Sequence, residues 1–140
     1  MLKKNKFFEE LKEKTNFDKD ERIKFVGTVY DSELIKKIRE NAFAYLHGHS
    51  VGGTNPSLIE ALATTELNLL YDVGFNKEVG EDGALYWTKE NGDLASIIDK
   101  SEKISSEERK LYSEKAKKRI FEQYSWKKII NDYEELYIKR

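Results

Sequence analysis

Short apolar runs alternate with segments of helical spacing along this 140-residue chain, and that alternation limits the possible folds more than any other feature. Residues 22–29, "RIKFVGTV", alternate and carry β-branched side chains, which predicts a strand. Residues 42–48, "AFAYLHG", are almost continuously apolar, as expected of a strand covered on both faces. "LNLLYDV" (67–73) and the shorter "ALYW" (84–87) read as further strands. Helical patterns separate them. Residues 3–14 predict a short helix with Phe7, Phe8 and Leu11 on its apolar side. Asp31 caps a helix to about Glu40, with Leu34, Ile35 and Ile38 inward. Asn55 is a suitable N-cap, with Pro56 at the first helical position and Leu58, Ile59 and Leu62 as the buried stripe. Asp93 is expected to cap a helix that buries Leu94, Ile97 and Ile98. Ser105 and Glu108 form a capping box for a helix to about Tyr124. Ser125 opens a last helix in which Trp126, Ile129, Ile130, Tyr133, Leu136 and Tyr137 hold helical spacing. Strands and helices in alternation over short connections predict an α/β fold: one domain with a Rossmann-like parallel sheet and helices on both faces.

Three function classes drop out. Acidic and basic residues number 26 and 25 and are interspersed, so nothing favours nucleic acid as a partner. The chain has no Cys, which removes disulfides, thiolate metal sites and Cys nucleophiles and suits a reducing cytoplasm. No apolar run approaches the ~20 residues that span a bilayer. The basic start, "MLKKNKFFEELKEK", lacks the apolar core of a secretory signal. It reads as an ordinary first helix in preference to one lying on a membrane surface.

The stretch "HGHSVGGTNPSLIEALA" (47–63) holds one charged residue, Glu60, and the only proline. In open parallel sheets ligands bind beyond the carboxyl ends of the strands, and this glycine turn follows one. Gly52 and Gly53 allow close approach to the main chain. The helix that begins directly afterwards should offer unpaired N–H groups and a positive dipole end, which favour a phosphate. Ser50, Thr54 and Asn55 add polar side chains. No Lys or Arg lies in the turn, so neutral donors would hold the anion. Glu60 points away from the Leu58/Leu62 stripe, where its carboxylate would accept hydroxyl hydrogen bonds or simply face solvent. His47 and His49 share one face of an extended strand. They are the candidates for a catalytic role, although no residue is assigned one. Hydrogen bonding to a phosphate or sugar, or plain packing, is preferred to metal binding, since only Asp72 offers a third ligand. A second polar turn, "DVGFNKE" (72–78), places Asp72, Asn76 and Lys77 where they would line the same cleft, or form an ordinary loop.

These residues resemble the C-terminal, donor-binding domain of GT-B glycosyltransferases of family 4. "IKFVGTV", "YLHGHSVGGTNPSLIEALA", "NLLYDVGFNKEV" and "YSW" follow the family's order over roughly residues 22–138. The version "HGHSVGGTNPSLIEAL" is most similar to rhamnosyltransferase-like bacterial members that build capsule, O-antigen or other surface polysaccharide. The resemblance implies that Gly52, Gly53, Thr54 and Asn55 hold the diphosphate and sugar of a nucleotide-sugar donor, and that Glu60 grips the ribose. It implies no cofactor and no required metal. Many members carry a second glutamate eight residues earlier; here that position is Gly52. GT-B enzymes have two such domains, so the resemblance makes this chain one half, either an excised or truncated piece or one subunit of two. The acceptor site would come from the missing N-terminal domain, which the last helix (125–138) would meet. The full enzyme would act in the cytoplasm, with room for peripheral association at the inner face of the membrane. The alternative reading is a non-catalytic nucleotide-binding or protein-interaction module of the same fold.

Overall fold

The computed structural model describes residues 5–53 and 55–138. Residues 3 and 4 of the expected first helix, and Thr54 of the expected site, lie outside these. The chain divides into two compact units, Met1–Ile35 and Lys36–Arg140.

In the first unit, α1 (Lys6–Thr15) is capped by Asn5, whose side chain accepts from the Phe8 amide at 2.8 Å. It stops at Asn16, which adopts a left-handed conformation. Phe8, Phe17 and Phe25 stack in sequence, with ring centroids 5.3 and 5.5 Å apart. The expected strand at 22–29 is not one: the segment joins no sheet. Gly27 at φ 73° breaks the extended run, and Phe25 packs in the aromatic row instead of across a strand pair. Alternation makes a segment fit for a sheet, but a strand also needs a neighbour to bond.

α2 (Ser32–Glu40) starts where Asp31 predicts, the carboxylate accepting from the Glu33 and Leu34 amides at 3.0 and 3.1 Å. Leu34 and Ile38, expected inward, are exposed, as is Phe7 on α1.

The second unit holds β1 (Tyr45–His47), α3 (Pro56–Thr64), β2 (Asn68–Tyr71), α4 (Gly74–Gly80), β3 (Leu85–Trp87), α5 (Asp93–Lys103), α6 (Ser106–Gln123) and α7 (Trp126–Ile138). The strands form a parallel sheet in the order β1-β2-β3, with Leu46 opposite Leu69 and Leu70 opposite Tyr86. β2 is central and its Asn68, Leu69 and Leu70 are buried. Alternate side chains leave it on opposite faces. Leu70 joins Leu58 and Leu62 of α3, Val79 of α4, and Ala116 and Ile120 of α6. Leu69 joins Leu67, Leu85 and Ile97 of α5. The architecture is therefore mixed α/β, with a small three-stranded parallel sheet packed by helices on both faces.

Several local expectations change. β1 is shorter than the apolar run suggests and is an edge strand, so Leu46 stays 51% exposed rather than covered on both faces. Half of the polar turn at 72–78 is helical, as α4. Gly92, not Asp93, precedes α5; Asp93 turns back to accept from the Thr88 amide and hydroxyl at 2.6 and 2.8 Å. The capping box at Ser105 and Glu108 forms as expected. α7 keeps its helical spacing, but its aromatic and aliphatic stripe is largely exposed.

Candidate functional site

The turn that leaves β1 is shaped by its glycines. Gly52 adopts φ 104°, a region that L side chains rarely occupy, and neither Gly52 nor Gly53 has an atom within 4 Å of where a Cβ would sit. Their main chain is open to close approach. Ser50 and Val51 are exposed beside them. Gly48 lies under the Trp87 ring from the end of β3, 3.8 Å from where its own Cβ would be.

The start of α3 differs from expectation. Asn55 caps it, and its side-chain oxygen accepts from the Ser57 amide at 2.8 Å. Pro56 has no N–H. The Leu58 and Ile59 amides both donate to the Asn55 carbonyl, at 3.0 and 3.2 Å. The first-turn donors are thus committed to Asn55, which corrects the expectation of unpaired N–H groups there. What remains for an anion is the helix dipole and the open main chain of the turn.

Asn76 on α4 links the two polar turns. Fully buried, its amide donates both to the Tyr71 carbonyl at the end of β2 (2.9 Å) and to the His49 carbonyl in the glycine turn (3.2 Å). Both hydrogens are used, so Oδ1 is left as a buried acceptor without a partner. Asp72 and Lys77 stand at the same strand end but pair with each other at 2.8 Å.

His47, His49 and Tyr45 share a face of β1 and its extension. The histidine rings stack with centroids 4.7 Å apart, and the Tyr45 hydroxyl lies 3.3 Å from His47 Nδ1. His47 is buried and its Nε2 has no partner. Burial, and then the neighbouring His49, push its pKa down, so the ring is neutral near pH 7. It serves there as a hydrogen-bonding group and not as a charge. Among the described residues no group of three or more metal-binding side chains comes together.

Glu60 projects from α3 and is mostly exposed, as its position predicts. Sequence reasoning missed its partner. Arg39 of α2, largely buried, directs Nη1 onto Glu60 Oε2 and lies 6.0 Å from the centre of the Tyr45 ring. A row of contacting groups therefore runs from Glu60 through Arg39, Tyr45 and His47 to His49 at the turn. A contact between residues twenty-one positions apart leaves no local signal.

Two surface hollows lie elsewhere. One of about 590 Å³ is lined by Glu40, Glu66, Lys110 and Lys117 among others; one of about 390 Å³ includes Glu81, Tyr86, Tyr112 and Lys115. Neither includes a residue of the glycine turn. Among the described residues no helix is long and apolar enough to cross a membrane.

No protein-family model, curated protein or solved structure matches this chain.

Proposed function

We propose that this chain is the donor-binding half of a GT-B glycosyltransferase of family 4, acting in bacterial cell-surface polysaccharide biosynthesis. The observation that carries the reading is the open main chain at Gly52 and Gly53, beyond the carboxyl end of a parallel strand, with an exposed carboxylate, Glu60, one helical turn further on. The diphosphate of the donor sits against the turn, with the positive end of α3 behind it. Glu60 exchanges its Arg39 partner for ribose hydroxyls. In the transfer, the bond from the anomeric carbon to the diphosphate breaks, and the nucleotide diphosphate leaves with the electron pair. An acceptor hydroxyl supplied by another domain takes the sugar and loses its proton. Backbone donors at the turn and the helix dipole stabilise the charge that builds on the leaving group. This half alone transfers sugar poorly or not at all, since acceptor and closure come from the other domain.

Calorimetry with UDP and dTDP tests the reading. Binding that Gly53→Ala weakens supports it, and silence with every nucleotide diphosphate ends it. One observation favours a second reading. The first turn of α3 is satisfied by Asn55 without any ligand, as suits a protein-interaction module whose glycine turn binds nothing.

A further inference from the structure

We infer that α7 is a self-association face that takes a second copy of this chain, paired antiparallel along Trp126, Ile130, Tyr133 and Tyr137. These four residues are spaced 4, 3 and 4 apart, the repeat of a two-helix seam. All are exposed, Trp126 by 78% and Tyr137 by 76%. Ile129 and Leu136 widen the stripe on one flank. Soluble monomers rarely leave so continuous an apolar strip in water.

The other flank says what covers it. Each residue of a helix turns about 100° from the last, which sets Lys127 and Glu134 side by side along the seam, one near each end. When two copies of α7 pair antiparallel, that flank faces itself. Trp126 then lies across from the partner copy's Tyr137 position, and Ile130 across from its Tyr133 position. Lys127 of each copy meets Glu134 of the other, giving two ion pairs related by a two-fold axis. Parallel pairing sets Lys127 beside the Ile129 flank and makes no such pair. Lys128 and Asp132 bond to each other on the far side of the helix and do not compete.

The surface is large enough. Each aromatic ring covers about 150 Å² or more when packed. Three rings per copy, with the aliphatic side chains, bring two copies near the ~1,000 Å² that a specific interface needs. The inference is independent of nucleotide binding.

The test is the mass of the chain in solution by sedimentation equilibrium up to about 100 μM. The unaltered chain is expected to associate into dimers. Ile130→Glu should weaken association more than tenfold while leaving the far-ultraviolet circular dichroism of the fold in place. Lys127→Glu and Glu134→Lys should each weaken it about tenfold, since each change disturbs both symmetric pairs. The double variant, Lys127→Glu with Glu134→Lys, should return it to within about twofold of the unaltered chain. A chain that stays monomeric throughout, as it would if another protein covered this face, overturns the inference. A double variant as weak as the singles overturns the antiparallel pairing.

Discussion

The guanidinium of Arg39 lies against the carboxylate of Glu60, joining α2 to α3 beside the glycine turn. Glu60 is the more exposed of the two, so the pair leaves its second oxygen able to receive a ligand. Removing the carboxylate in Glu60→Ala should weaken nucleotide affinity by about 1–3 kcal/mol if two hydroxyl bonds are lost. It should cost the fold only about 1 kcal/mol, as exposed ion pairs do. Titration calorimetry beside a urea unfolding curve separates the two effects. Equal nucleotide affinity in variant and unaltered chain would take Glu60 out of the site.

Two glycines offer a matched contrast. A methyl group on Gly83 would lie 2.7 Å from the Ala116 amide nitrogen and 2.8 Å from its Cα, both backbone atoms of α6. Gly83→Ala should therefore destabilise by about 1–3 kcal/mol. Gly53 faces open space, so Gly53→Ala should alter stability by less than about 0.5 kcal/mol and lower nucleotide affinity. Thermal midpoints measured side by side decide the matter; equal midpoints would show that α6 does not sit so closely over Gly83.

Asn76 holds two carbonyls from different segments. In Asn76→Asp the shape is kept, but the donors become a carboxylate facing carbonyl oxygens. The expected loss is about 2–4 kcal/mol. Urea midpoints measure it. A change under about 0.5 kcal/mol would mean that Asn76 does not tie the turn to β2.

His47 predicts a pH dependence. Its folded pKa is depressed below the ordinary value of 6.5 by burial and by His49. At pH above that ordinary value the ring is neutral in both states and the fold loses nothing. As pH falls through it, the unfolded chain binds the proton more readily, and stability drops until the folded pKa is passed. The urea midpoint of the unaltered chain should fall more between about pH 7.5 and about pH 5 than that of His47→Leu. Parallel declines in the two proteins would assign the effect to other groups.

Much of the candidate site was legible because its parts are local. The glycine turn, the Asn55 cap with Pro56 behind it and the outward direction of Glu60 each depend on residues within one helical turn. The use of the α3 amides was not legible. One side chain and one carbonyl of Asn55 take every donor that the first turn offers. Asn76 read as a loop residue, yet it is the buried link between two strand ends.

The sequence by itself determined the alternation of strand and helix, the caps at Asp31, Asn55 and Ser105, and the helical spacing of α7. These follow from steric preferences and hydrogen bonds that act over three or four residues, and they need no distant partner. Only the tertiary structure decided that residues 22–29 join no sheet, that β2 takes the central place, that Arg39 meets Glu60 and that the stripe of α7 faces outward. Each of those outcomes depends on which far-off group arrives at the other side of the contact, and local preference carries no record of that.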